Sequence, residues 1–314
     1  MYTFALRPTA GLLAAVLFSS ISAAATLPGL TFAYTPIAYP GALSTEISAI
    51  DGDLIVGSYR LIDGLHGFVF DGQSFTTLDF PGGADSSVND IDGDTIVGSY
   101  ATDRLRGYRY RDGVFSTVEH PEVNHYFSNG TYVSGISDQR RVGTYLDSSQ
   151  RTRGFIYDAE TYQSFDYPNA QLTTITGVDG NRIVGGRDDG TGYLFDGTSF
   201  TTIFVPGSTA TRPLDVYGDT VVGYAYYGSQ GQAAFVLRDG KFQLFKASQA
   251  EPGRMAFVGG WGNKVVGDLA IGKGGAIRHI AFVATIPEPS SAVMLTTQIA
   301  ILSASRRWKC SGRC

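Results

Sequence analysis

Two aspartates, Asp90 and Asp215, are the residues of this 314-residue chain best placed to do chemistry. They occupy equivalent places in two units of an internal repeat. Two carboxylates facing each other across a channel would bind a cation or a sugar, or act as an acid/base pair on a glycosidic bond. The plainer alternative is that both are ordinary polar residues at strand ends. The four histidines, His66, His120, His125 and His279, offer less. His120 and His125 flank Pro121-Glu122-Val123-Asn124, whereas a zinc pair prefers a shorter spacing on a helix. His66 opens a strand where other units carry Arg, Thr or Ala, which reads as a surface place. Asp51-Gly52-Asp53 and Asp92-Gly93-Asp94 alternate like a calcium loop but lack its length and its distal Glu. Hairpin turns account for them. The chain has no Gly-x-Ser-x-Gly elbow and no phosphate loop. Asn129-Gly130-Thr131 is a formal glycosylation triplet, though Asn-Gly is first a turn signal. The expectation is therefore no metal, no cofactor and no catalytic residue, with Asp90 and Asp215 as a speculative channel site.

The elements that carry these residues repeat. One unit reads Ile50-Asp-Gly-Asp-Leu-Ile-Val-Gly-Ser-Tyr59, then His66-Gly-Phe-Val-Phe70, then Ser74-Phe-Thr-Thr-Leu-Asp-Phe-Pro81. The next reads Ile91-Asp-Gly-Asp-Thr-Ile-Val-Gly-Ser-Tyr100, then Arg106-Gly-Tyr-Arg-Tyr110. Marker glycines fall at Gly57, Gly98, Gly143, Gly185, Gly223 and Gly267, with spacings of 41, 45, 42, 38 and 44 residues. A period of this length with several short strands per unit indicates propeller blades. Asp-Gly pairs at 51–52, 71–72, 92–93 and 179–180 supply the positive-φ positions that tight hairpins need. Aromatics alternate with period two, as in Phe68 and Phe70 or Tyr108 and Tyr110, and would fill the wedge between blades. The marker glycine would leave room for such a ring.

The units also resemble extracellular repeats named for a His-Ala-Phe triplet. Here the triplet appears as His66-Gly67-Phe68, Arg106-Gly107-Tyr108, Arg153-Gly154-Phe155, Thr191-Gly192-Tyr193, Ala233-Ala234-Phe235 and Ile280-Ala281-Phe282. The resemblance implies location and architecture, with no activity attached. The expected fold is all-β: a six-bladed β-propeller over residues 26–285. The sixth unit lacks an outer strand, and Tyr34-Thr-Pro-Ile-Ala-Tyr-Pro-Gly41 matches the outer strand of the first by its aromatic-Pro-Gly ending. Residues 31–40 are predicted to supply it, so that the termini clasp the ring and remove open edges. An open β-sandwich is the alternative.

The ends predict where the chain goes. Residues 1–25 read as a signal peptide: Arg7, an apolar core from Ala10 to Phe18, then small residues with Ala23 and Ala25 at the cleavage site. The other reading is a buried N-terminal helix. Residues 286–314 carry Pro287-Glu288-Pro289 at their start, then an apolar run to Ala304, then the cations Arg306, Arg307 and Lys309. This order resembles the PEP-CTERM sorting signal of Gram-negative bacteria. The resemblance implies a single transmembrane helix as a transient inner-membrane anchor. It implies cleavage near Pro-Glu-Pro by an exosortase-type membrane protease, then release to the cell surface or extracellular matrix. The run is shorter than the roughly 20 residues of a stable span. Cys310 and Cys314 lie beyond it and would be discarded with the tail. A plain amphipathic helix is the alternative.

Composition limits the partners. Glycine is abundant (40 residues) and aromatics make up 12%, as in many short strands joined by tight turns. A net charge of −5 argues against nucleic acid. The leading expectation is an exported, non-catalytic surface or matrix protein whose propeller binds exopolysaccharide or another surface protein. The alternatives are an extracellular glycan-cleaving enzyme using the axial carboxylates, and a structural matrix protein with no discrete ligand.

Overall fold

A computed structural model describes residues 33–124, 130–246, 254–271 and 278–286. The signal segment, His125, Asn129 and the tail from Pro287 onward lie outside the described residues. Among the described residues no helix is long and apolar enough to cross a membrane.

Each repeat unit forms one antiparallel sheet, because period-two alternation puts one face of every strand against each neighbouring blade. The chain enters on β1 (Tyr34–Ile37). Blade 1 is β2 (Ser44–Asp51), β3 (Leu54–Arg60), β4 (Leu65–Phe70) and β5 (Phe75–Thr77). Blade 2 is β6 (Asp85–Asp92), β7 (Thr95–Ala101), β8 (Leu105–Arg111) and β9 (Val114–Val118). Blade 3 is β10 (Thr131–Ser137), β11 (Arg140–Leu146), β12 (Thr152–Asp158) and β13 (Thr161–Phe165). Blade 4 is β14 (Thr173–Asp179), β15 (Arg182–Arg187), β16 (Gly192–Phe195) and β17 (Phe200–Ile203). Blade 5 is β18 (Ala210–Tyr217), β19 (Thr220–Tyr226), β20 (Gln232–Arg238) and β21 (Lys241–Lys246). Blade 6 contains β22 (Arg254–Trp261), β23 (Lys264–Ile271) and β24 (Arg278–Thr285), in the sheet order β1-β24-β23-β22. Tyr34 lies opposite Ala284 and Pro36 opposite Phe282. β1 is thus an edge strand, where a proline is tolerated.

The innermost strands β2, β6, β10, β14, β18 and β22 touch in sequence, and β22 touches β2. The sheets therefore close into an all-β, six-bladed propeller. Its core is divided into six apolar clusters, each straddling one seam between consecutive blades. The aromatic of the third strand is fully enclosed in every blade: Phe68, Tyr108, Phe155, Tyr193, Phe235 and Phe282. Burying each such ring contributes about 1.5–3 kcal/mol.

The marker glycine is required for two reasons. A Cβ at Gly98 would stand 2.1 Å from the Ser87 carbonyl oxygen and 2.5 Å from the Tyr108 ring. The ring contact is the one expected from sequence; the clash with the inner-strand carbonyl is the tighter one and recurs at all six markers. The middle residue of the triplet is small because the next blade's inner strand packs on it. At Gly107 a Cβ would lie 2.3 Å from Val133 Cγ2.

A third device fixes the connections between blades. The N–H groups of Tyr39, Phe80, His120, Tyr167 and Val205 donate to the hydroxyls of Thr45, Ser86, Thr131, Thr173 and Thr211 at 2.9–3.0 Å. Each of these donors precedes a proline. Three of the rings then stack face to face: Tyr39 on Tyr59 at 3.5 Å, Phe80 on Tyr100 at 3.7 Å and His120 on Tyr145 at 3.7 Å.

Candidate functional site

Every inner strand carries a β-bulge at the same place, where its register against the second strand skips one residue. The skipped residues are Ser48, Asn89, Ser134, Thr176, Leu214 and Val258. A bulge bends the strand and re-aims its side chains. Immediately after it stand Ala49, Asp90, Gly135, Gly177, Asp215 and Gly259, one from each blade around the axis. Four are Ala or Gly, and two are the aspartates singled out from sequence. Asp90 and Asp215 lie three blades apart, so they sit on opposite sides of the ring. Their small neighbours make room for them: a Cβ on Gly177 would lie 2.9 Å from Asp215 Oδ1, and one on Gly135 3.4 Å from Asp90 Oδ2.

The two carboxylates are bonded alike. Asp90 Oδ1 accepts the Ile91 N–H and Oδ2 the Ile136 N–H of blade 3, both at 2.8 Å. Asp215 Oδ1 accepts the Val216 N–H at 2.8 Å and Oδ2 the Gly260 N–H of blade 6 at 3.1 Å. Each side chain therefore braces its blade to the next. Burial pushes the Asp90 carboxyl well above the usual range, and the charge on Asp215 pushes it further. Burial raises Asp215 to about 7 against the opposing pull of its N–H donors. Together the pair can brace two seams and hold a proton near neutral pH.

Similar braces run down the axis. Asn89 Nδ2 donates to Val133 O at 2.6 Å, Ser134 Oγ to Ile175 O at 2.7 Å and Thr176 Oγ1 to Pro213 O at 2.9 Å. At the hairpin end, Asp51 accepts the Gly93 N–H at 2.8 Å, Asp92 the Asp138 N–H, and Asp179 the Gly218 N–H at 2.7 Å. The Asp-x-Asp motifs are hairpins, with Gly52 and Gly93 at φ near +60°, and their first aspartate also ties down the following blade. At the last seam Lys264 Nζ lies 2.8 Å from Asp53 Oδ1, as Arg182 Nη1 lies 3.4 Å from Asp219 Oδ1 between blades 4 and 5.

Two of the histidines, His66 and His120, are engaged in contacts that hold the fold. His66 is partly buried rather than a free surface residue. Its Nδ1 lies 2.8 Å from Asp79 Oδ2 and its Nε2 3.3 Å from Asp63 Oδ1. Burial lowers its pKa, but the two carboxylates, Asp79 foremost, outweigh that and raise it. His120 is buried against Tyr145, and burial lowers its pKa. His279 is exposed. No group of three or more His, Cys, Asp or Glu able to hold a metal occurs among the described residues.

Among the described residues, clefts off the axis include two of note. One, of about 630 Å³, includes Glu122, Asp147 and Arg153, and its arginine is neutralised by Asp147 and Asp166. The other, of about 410 Å³, opens between blades 2 and 3 at the hairpin end and includes Arg109, Arg111 and Arg141. Sequence reading passed over both.

No protein-family model and no curated protein matches the chain. Among solved structures it is similar to the β-propeller domain of the Trilobed protease from Pyrococcus furiosus, with a TM-score of 0.47 and 10% identity over 77% of this chain and 94% of that one. It is similar to a fucose-specific lectin from Aleuria aurantia, with a TM-score of 0.45 and 10% identity over 79% and 97% of the two chains. It is also similar to a Trypanosoma rangeli sialidase, with a TM-score of 0.43 and 10% identity over 86% and 59%.

Proposed function

We propose that this protein is an exported, non-catalytic binding module of the cell surface or exopolysaccharide matrix. The observation that carries the reading is the use made of the axial carboxylates. Asp90 and Asp215, the pair best placed for acid–base work, each accept two main-chain N–H groups, one of them across a seam. Polar groups along the axis are spent on joining blades, and the result is a rigid scaffold for presenting surface residues. The sequence supplies the route: a leader ending near Ala23 and Ala25, and a tail in which Pro287-Glu288-Pro289 marks the cut and Arg306, Arg307 and Lys309 hold the cytoplasmic side. An exosortase-type membrane protease is the processing partner, and anchoring in the inner membrane is transient. In this reading β1 is the clasp that ties the N-terminal segment to the last blade and closes the ring.

A second reading, a glycan-cleaving enzyme, draws on the raised pKa values of Asp90 and Asp215, since paired carboxylates shifted toward neutrality suit acid–base catalysis. The exported protein is to be incubated with the producer's exopolysaccharide, alongside an Asp90→Asn/Asp215→Asn variant. Retention of the glycan by both proteins without new reducing ends supports the binding module. Product formed by the parent and absent with the variant makes the protein an enzyme. Failure of the parent to retain any matrix component leaves only a structural role. Intact-mass analysis of the same exported material should show that the residues after the Pro-Glu-Pro motif are gone; a mass that includes Trp308 contradicts the sorting route.

A further inference from the structure

The six seams are built to one plan, and one departs from it. Two residues before each marker glycine, the second strand carries Ile55, Ile96, Arg141, Ile183, Val221 and Val265. One residue after each enclosed aromatic, the third strand carries Val69, Arg109, Ile156, Leu194, Val236 and Val283. These two positions meet across a seam. Val69 and Ile96 share one apolar cluster, Ile156 and Ile183 another, Leu194 and Val221 a third, Val236 and Val265 a fourth, and Val283 and Ile55 a fifth. The remaining seam, between blades 2 and 3, sets Arg109 against Arg141, and both face the same cleft. Five aliphatic pairs and one arginine pair at equivalent places cannot be a requirement of the fold.

The arginine pair is costly as it stands. Two cations replace an apolar contact, and like charges in a partly desolvated cleft repel. Among the described residues neither guanidinium has a carboxylate ion pair. Arg141 donates to the Gln139 carbonyl at 3.3–3.4 Å and lies 4.5 Å from the centre of the Tyr157 ring. Burial, together with the charge of Arg109, holds its pKa below the usual arginine value. The acidic side chains lining the cleft, Asp138 and Glu160, pair with neither, and Arg111 is engaged by Asp94 at 3.0 Å. A pair of planar donor forks beside one another is the arrangement that recognises an oxyanion in bidentate fashion. The cleft volume of about 410 Å³ lies within the range of small-ligand sites, roughly 300–1,000 Å³. Its walls also bring the Tyr157 and Tyr162 rings and the hydroxyls of Thr95, Ser116 and Thr117. Flat rings beside hydroxyl groups suit a sugar.

We propose that the cleft between blades 2 and 3 is a binding site for the carboxylate of a uronic-acid unit in an acidic polysaccharide, held by Arg109 and Arg141 against the tyrosine wall. The assignment rests on the binding-module reading and gives it a ligand class and a location. Calorimetric titration of the exported protein with oligogalacturonate, a neutral oligosaccharide of equal length and oligoglutamate tests it. The parent should bind oligogalacturonate, with an affinity that falls as salt is raised, and should bind the other two far more weakly. R109V/R141I, which restores the aliphatic pair of the other seams, should melt at or above the parent's temperature and lose about a hundredfold in affinity. R109Q/R141Q, which keeps the cleft polar, should lose binding to a similar extent and covers the case in which the first variant does not fold. Uronate binding that survives in either folded variant overturns the location. Oligoglutamate bound as tightly as the sugar, or no binding of oligogalacturonate by the parent, overturns the ligand class. Those results leave the binding-module reading standing if the parent still retains the producer's own polysaccharide; loss of that retention sinks the broader reading as well.

Discussion

Asp215 shows how one residue serves structure at a cost that depends on pH. Its carboxyl is raised to about 7 by burial, whereas in an unfolded chain it would titrate near 4, roughly. Between those values the folded protein holds a proton that the unfolded chain has released. The associated stability is complete below the unfolded value and is lost as pH rises through the folded one. Asp268 on β23, raised to about 7 by burial and then by the charge of Glu46, acts in the same sense. Unfolding by urea should therefore need less denaturant as pH is raised from about 4 to about 8. Asp215→Asn should flatten part of that decline; parallel profiles for parent and variant would show that the carboxyl is not titrating. Asp90 and Asp215 were legible in the sequence as equivalent positions. Their bonding was not, because main-chain N–H groups of a neighbouring blade leave no trace in residue identities. Arg109 and Arg141 were legible in principle. They stand out only when the repeat is aligned position by position, and the eye is drawn instead to the glycines and aromatics.

The strands themselves were readable because period-two alternation and Asp-Gly turns are local signals. The connections were not. The hydroxyls of Thr45, Ser86, Thr131, Thr173 and Thr211 recur two residues into five units or close to it, yet threonine at a strand start is unremarkable by propensity. Only the fold shows each one accepting an N–H from the loop that delivers the chain to that blade. Thr131 is fully buried and serves His120 at 2.9 Å. Thr131→Val keeps the shape and strands that N–H without a partner. It should destabilise the protein by about 1–3 kcal/mol, read as a lower urea midpoint with an unchanged slope. A neutral result would mean that water reaches the site. Blade 6 has Met255 at the corresponding place, which carries no hydroxyl.

At the scale of the ring, the first and last described strands pair in blade 6. The last sheet differs from the rest in its strand order, its fourth member being not a strand that follows β24 but β1. Removing residues 26–42 takes away that strand and Tyr39, whose ring stacks on Tyr59 of blade 1. The truncated protein should unfold over a broader denaturant range than the parent, followed by tryptophan and tyrosine fluorescence together. A transition as sharp as the parent's would assign closure to the inner strands alone.

The position of β24 has a mechanical meaning. It is the last strand before residue 287, and it is hydrogen-bonded on both flanks, by β23 along its length and by β1 at its far side. A tug on the residues that follow Ile286 is thus delivered to the middle of a sheet. Ladders on either flank must slide together before the strand comes free, which resists traction far better than unzipping a border strand rung by rung.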